Sequence, residues 1–162
     1  MLSEYDFKQV VKNTNLLAFD LIIQNNNNEI FLAERNNSPA KGYYFVPGGR
    51  VFKNENLNSA LERTLNDEVG LKLNDFGSIT HKGLYEHIYD DNVFSDFNFN
   101  THYIVYAIEL KYLGTGKIVL DQQHHEYKFM KIHELLDSDV VHEFTKNYFI
   151  NLPSNKLVRL IK

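Results

Sequence analysis

The chain has 162 residues, of which 43% are hydrophobic and 14% aromatic, a size and content that fit one globular domain with a sizeable core, so residues 1–162 are read as a single unit. Its net charge of -4 carries no basic stripe, and its aromatics interleave with Asp and Asn, which excludes an oligonucleotide partner. There is no cysteine, no apolar run near the length of a membrane span and no charged-then-apolar leader at Met1-Leu2-Ser3-Glu4, so we expect a cytoplasmic protein without disulfides or a membrane partner.

The first strand expected is Leu16 to Ile23. Asp20 interrupts its apolar run, and a buried carboxylate is costly without a partner. Asn25-Asn26-Asn27-Asn28 reads as a polar turn into a second strand, Glu29 to Glu34. Tyr44 to Val46 is a third, and Tyr43, Tyr44, Phe45 and Pro47 build the sheet and position the glycine-rich loop after it. That loop, Gly48 to Glu55, feeds a helix over Asn56 to Val69, with Leu57, Ala60, Leu61 and Leu65 on its core stripe.

Arg63, Asp67 and Glu68 stand at the far end of that helix. They read either as an exposed set with an i,i+4 Arg63 to Asp67 pair or as a site where a hard divalent cation meets a diphosphate. Arginine is scarce, at four positions, and Arg35, Arg50 and Arg63 all precede or enter this segment. Planar guanidinium forks suit phosphate oxygens, while Arg63 could instead pair structurally with Glu55.

Further strands are expected at Gly83 to Tyr89, His102 to Leu110 and Tyr127 to Lys131. His87, within the first of these, could face chemistry or sit on a satisfied structural face. Asp90 to Asn100 suits a lid or a surface excursion. After the strand-like Ile118-Val119-Leu120, the polar run Asp121 to Glu126 sets Gln123 and His124 in a loop. A neutral imidazole titrates near pH ~6.5 and can take a proton from water, so His124 is the candidate general base, with adjacent His125 a reminder that residue type alone proves little. A last helix is expected over Ser138 to Phe149, its apolar face formed by Val140, Val141, Phe144, Tyr148 and Phe149. Together these elements suggest a mixed sheet covered by helices.

Gly49, Glu55, Arg63, Leu65, Glu68, Gly70 and Leu71 fall on the spaced pattern G-x5-E-x7-R-E-U-x-E-E-x-G-U, so the segment resembles the Nudix box. Two positions depart from it. Thr64 stands where the box has a glutamate and Asp67 replaces another, leaving Glu68 intact. Fewer carboxylates should hold fewer cations. Blocks outside the box (Asp6-Phe7, Gly42 to Val51, Tyr89-Asp90-Asp91-Asn92, Thr101-His102-Tyr103, Gln123-His124, Ser138-Asp139 and Val141-His142) extend the resemblance to the GDP-mannose mannosyl hydrolase branch, which shares the altered box.

That resemblance implies a Nudix α/β/α sandwich and Mg-dependent hydrolysis of GDP-mannose or a related GDP-sugar such as GDP-glucose, by attack of water at sugar C1 with inversion. It implies His124 as base, Mg2+ or substituting Mn2+ on the Gly48 carbonyl, Glu68 and Gln123, and Arg35 and Arg50 at the diphosphate. It further implies that Asp20 orients the substrate, that Tyr103 donates to a phosphate oxygen, that Arg63 and His87 lie near the substrate, and that Met1, Leu2 and Phe7 form a nucleotide-binding arm across a homodimer. The alternatives are a diphosphatase attacking phosphorus and a nucleotide-sugar sensor that binds without turnover.

Overall fold

The computed structural model describes residues 2–96, 98–120 and 124–150, with residues 124 and 125 described through their backbone. In chain order the elements are α1 (Glu4–Asn13), β1 (Leu16–Gln24), β2 (Glu29–Arg35), β3 (Tyr44–Phe45), β4 (Gly48–Arg50), α2 (Leu57–Val69), β5 (Phe76–Tyr89), β6 (Thr101–Tyr112), β7 (His124–Lys131), α3 (Ile132–Asp137) and α4 (Glu143–Lys146). All seven strands join one sheet, whose main path runs β3-β2-β1-β6-β5, with β4 on β1 and β7 on β2. The β1 and β6 pair is parallel and the others are antiparallel, so the expected mixed sheet is present, with helices on both faces.

Strand β1 organises both layers because it is apolar on both faces. Phe19, Leu21 and Ile23 pack against Ala60, Leu65 and Val69 of α2. Ile22 points the other way, into a second core with Tyr85, Val105, Leu135 and Tyr148. This is the alternation that a pleated strand imposes, and it yields the α/β/α sandwich.

Beside β1 the sheet divides. Its partner on one edge is β6 along the whole strand, whereas on the other edge β2 joins at Gln24 and β4 takes Ala18, Phe19 and Asp20. The glycine-rich segment expected as loop is therefore partly strand, since Gly48, Gly49 and Arg50 pair with Asp20, Phe19 and Ala18.

Two other expectations change, and one helix forms where none was expected. A helix forms at Glu4–Asn13, with Phe7, Val10 and Val11 on its inner side; the Ser3 side chain caps it by accepting from Asp6 N, and Glu4 and Asp6 in the first turn with Lys12 in the last favour it through its dipole. The helix expected over Ser138 to Phe149 contracts to α4, because the Tyr44 backbone engages the preceding residues: Tyr44 N donates to the Val140 carbonyl at 2.8 Å and His142 N to the Tyr44 carbonyl at 3.1 Å. Leu57 is 48% exposed, so the core stripe of α2 begins at Ala60.

These burials set a contrast. Leu65→Ala should cost about 2–5 kcal/mol and Leu57→Ala under about 0.5 kcal/mol, as measured by urea unfolding of the two variants.

Candidate functional site

A cleft of about 310 Å³ opens on the sheet face that carries Asp20. Its floor comes from alternate residues of three strands: Ala18 and Asp20 of β1, Tyr103 and Val105 of β6, His87 and Tyr89 of β5. One wall is β4 with Arg63 and Glu68 of α2, and Arg35 enters from the end of β2. The fold thus brings Asp20, Arg35, Gly48, Arg50, Arg63, Glu68, His87 and Tyr103 together from six elements.

Arg63 fixes the wall. Its Nε donates to Glu55 Oε1 at 2.7 Å, while Nη2 donates to Glu55 Oε2 at 2.9 Å and to the Arg50 carbonyl at 2.7 Å. Glu55 also accepts from Phe52 N at 3.0 Å, and the Arg63 guanidinium lies 4.1 Å from the Phe52 ring centroid. The hydrogen bonds from Arg63 hold the Glu55 carboxyl below its usual range. The structural pairing of Arg63 with Glu55 is therefore present, and a substrate contact from Arg63 would have to be made beside those bonds.

Asp20 lies opposite Gly48, where a Cβ would come within 2.5 Å of both Asp20 Oδ1 and the Phe19 carbonyl. Glycine is required there by the close approach. Tyr148 donates its hydroxyl to Asp20 Oδ2 at 2.5 Å, and His87 Nε2 stands 3.3 Å from the same hydroxyl. A phenol has one proton to give; with it directed at Asp20, the Tyr148 oxygen accepts from His87, which assigns the Nε2-protonated tautomer. Burial pushes the Asp20 carboxyl up to about 7, opposed by the Tyr148 hydrogen bond and by Arg35. Burial, with His142 nearby, takes His87 down to about 3, and its ring stacks on Phe144 at 4.3 Å. His87 is therefore a neutral, packed residue at ordinary pH, with one edge in the cleft.

Thr64 is fully buried, its side chain against Gly49, where an added Cβ would meet Thr64 Cγ2 at 3.1 Å and Oγ1 at 3.2 Å. Thr64 Oγ1 and Arg35 Nε are buried without a hydrogen-bond partner among the described residues. Glu68, one turn beyond Thr64, is 9% exposed and lines the cleft. No group of three or more His, Cys, Asp or Glu side chains that could cage a metal occurs among the described residues. The donors on this wall, the Glu68 carboxylate and the Gly48 backbone, are oxygen ligands, which fit a hard cation that completes its shell with substrate oxygens and water rather than a zinc-type cage.

Among the other expected residues, Tyr103 and Arg50 line the cleft, and Arg50 lies 3.8 Å from the Phe7 ring centroid. Leu2 is 56% exposed. His124 opens β7, paired with Arg35 across a register shift, so its backbone is in a strand where a loop was expected. Met1 and Gln123 lie outside the described residues. Sequence reasoning does not single out Tyr148 and Tyr89 as site residues: Tyr148 reads as one member of an apolar face, and the signal that points to it is Asp20, which needs a donor from elsewhere.

The NUDIX domain family matches residues 14–150. A curated relative, the low-salt glycan biosynthesis protein Agl8 of Haloferax volcanii, is 35% identical over 123 residues, covering 76% of this chain and 75% of that protein. Among solved structures, the chain is similar to a MutT NUDIX hydrolase from Burkholderia pseudomallei (TM-score 0.65, 18% identity, 84% of this chain and 96% of that one). It is also similar to the MutT protein of Methanosarcina mazei Go1 (TM-score 0.63, 18% identity, 83% and 90%). At such identities these structures speak to the fold.

The neutral His87 gives a pH-dependent prediction. The unfolded chain takes up a proton on this residue near pH ~6.5, whereas the folded chain takes it up near 3, so the unfolded state binds more protons in between and acid favours it. Asp20 works in the opposite sense between about 4 and 7, so the contribution is isolated by difference. As pH falls from 6 to 4, wild type should lose stability relative to His87→Gln by about 1.4 kcal/mol per pH unit. Parallel urea titrations across that range check it; equal slopes for the two proteins would contradict it.

Proposed function

The chain belongs to the NUDIX family, and from that premise we propose that it hydrolyses a GDP-sugar, with GDP-mannose the foremost candidate, releasing GDP and the free sugar. The observation that carries this reading is the altered acidic face of α2. Where the box pattern has a glutamate, Thr64 is buried and uncharged, and Glu68 remains as the buried carboxylate on that wall. Such a wall suits one cation and a diphosphate that departs as a leaving group. The Haloferax relative, described as a glycan biosynthesis protein, adds modest support.

In this reading Glu68, the Gly48 carbonyl and Gln123 hold Mg2+, or Mn2+ in its place, which when bound neutralises charge on the diphosphate. Arg35 and Arg50 stabilise the charge that develops as the leaving group departs. Arg35 brings a donor that has no hydrogen-bond partner among the described residues, and Arg50 a guanidinium at the cleft. Tyr103 donates to a phosphate oxygen, and Asp20, held by Tyr148, orients the sugar. His124 accepts a proton from water, the water oxygen bonds to C1, and the C1 to oxygen bond breaks with its electron pair leaving on GDP. The sugar product has inverted configuration. Leu2 and Phe7 lie toward the nucleotide end, and a homodimer with a shared N-terminal arm belongs to the same proposal.

A second reading is favoured by family membership taken alone: attack of water on phosphorus, as in a NUDIX diphosphatase, giving GMP and a sugar phosphate from the same substrate. The two differ in where the oxygen of water ends. Incubation with GDP-mannose and Mg2+ in 18O water, followed by mass analysis, should place label in free mannose and none in GDP. Label in a phosphate product establishes the second reading, and no turnover of any GDP-sugar removes the GDP-sugar assignment and turns the test to other nucleotides and nucleotide sugars. His124→Gln should lower kcat by about 10²-fold as expected for loss of a general base; undiminished turnover would remove His124 from that role.

A further inference from the structure

The N-terminal helix and the loop between β5 and β6 are joined to the cleft through a ring. Phe7 places its ring centroid 3.8 Å from the Arg50 guanidinium carbon, and Phe52 faces the same guanidinium at 5.6 Å. Phe7 also meets Phe94 of the loop, with centroids 5.4 Å apart, and Phe94 in turn meets Phe99 at 6.4 Å. The next residue on α1, Lys8, pairs with Asp96 at 2.8 Å and lies 5.8 Å from the Phe99 ring. Helix α1 is thus held to the loop through consecutive residues, by the Phe7–Phe94 ring contact, the Lys8–Asp96 ion pair and the approach of Lys8 to Phe99.

The loop owes its own shape to a buried amide. Asn92 is 1% exposed; its Nδ2 donates to the carbonyls of Asp96 and Phe99, each at 2.7 Å, and its Oδ1 accepts from Phe94 N at 3.0 Å and Asp96 N at 3.4 Å. Thr101 Oγ1 closes the base by donating to the Asp91 carbonyl at 2.8 Å. One side chain therefore fixes the backbone at Phe94, Asp96 and Phe99, the three residues that grip α1. A fully satisfied buried amide of this kind specifies one loop conformation.

We propose that Phe7 and Asn92 are positioning residues that act on the reaction through Arg50: Asn92 shapes the loop, the loop seats α1, and the Phe7 ring holds the Arg50 guanidinium toward the diphosphate. The inference rests on the proposed function in taking Arg50 as a diphosphate contact. It differs from a direct nucleotide contact by Phe7, because the ring acts through the arginine of its own chain. A cation over an aromatic face is attracted by the ring quadrupole, most strongly for Trp, and a ring also restricts a long flexible side chain.

The test is a double-mutant cycle read by calorimetric binding of GDP with Mg2+, and by kcat on GDP-mannose. Phe7→Leu keeps an apolar contact with Phe94 but removes the ring face, and should weaken GDP binding about 3- to 30-fold and lower kcat in the same direction, whereas Phe7→Trp, which keeps a ring face, should lose less than Phe7→Leu. In an Arg50→Leu background, Phe7→Leu should have no further effect, because both substitutions remove one interaction. Asn92→Ala should reproduce the Phe7→Leu loss, as should Lys8→Glu and Asp96→Lys singly, while the Lys8→Glu, Asp96→Lys double variant should recover. Additive Phe7 and Arg50 effects would assign a direct ligand contact and overturn the inference, as would GDP binding unchanged in Phe7→Leu. Failure of the hydrolytic reading appears separately, as wild-type protein that binds GDP with these couplings and leaves GDP-mannose intact. The chain has no tryptophan, so the indole of Phe7→Trp also reports the contact without any ligand: its emission should shift on adding Arg50→Leu or Asn92→Ala, and an unshifted emission overturns the proposal.

Discussion

One guanidinium holds the site together. Arg63 spans from α2 to the segment after β4, gripping both oxygens of Glu55 and the carbonyl of Arg50. The bonds to Glu55 close the loop between strand and helix; the bond to Arg50 ties that loop to β4. Because β4 pairs residue by residue with β1, fixing Arg50 also fixes Gly49 and Gly48 against Phe19 and Asp20. A lysine could supply the charge, but its point-like ammonium lacks the planar fork that meets two carboxylate oxygens at once. The wall of the cleft is in this sense a consequence of one side chain's geometry.

Asp20 is the complementary constraint, a carboxyl placed where burial opposes its charge. Its strand position puts it opposite a glycine, so the space a side chain would fill is taken by the carboxyl itself. Tyr148 reaches it from beyond α4 and also meets His87, so three segments far apart in sequence converge on one hydroxyl. The second core of the sheet contains Tyr148 among its apolar members. Loosening the C-terminal layer would therefore be felt directly at the floor of the cleft. Burial raises the Asp20 carboxyl to about 7 against the hydrogen bond from Tyr148 and the charge of Arg35, both of which favour the anion.

How much of this is legible in the sequence depends on whether a signal is local. Strand β1 and the α2 helix follow from apolar periodicity and appear where expected, whereas the start of the glycine-rich segment expected as a loop is strand β4. Asp20 is legible as an anomaly, a charge in an apolar strand, but its partner is not, because Tyr148 is 128 residues away and reads as one more ring on an apolar face. The expected C-terminal helix is too long for a similar reason: periodicity continues through Val140 and Val141, yet their backbone is claimed by Tyr44 through pairing that no local window contains. Helix α1 is short and its apolar spacing is confined to Phe7, Val10 and Val11, a stripe too brief to stand out in the sequence without the cap at Ser3 and the charges at its ends. Polar residues crowd the segment around His124 and suggest a loop; opposite Arg35 its backbone is in a strand, since edge pairing tolerates polar side chains.

The same distinction bears on the bond that is broken. In the sequence Thr64 reads as a lost carboxylate, and the structure adds that the side chain is fully buried, facing Gly49. A glutamate at 64 would bring a charge into a fully buried position, at a cost unless a partner met it. On the proposed reading the cleft would face a diphosphate with one buried wall carboxylate and with Arg35 and Arg50, a balance in which fixed protein cations would take up charge that additional metal ions would otherwise neutralise. Fixed cations stabilise a departing diphosphate without requiring a metal-bound nucleophile at phosphorus. On the proposed reading, the substitution at position 64 and the retention of arginines around the loop are two sides of one arrangement, in which the diphosphate is held as a leaving group and the attacking water is activated from elsewhere.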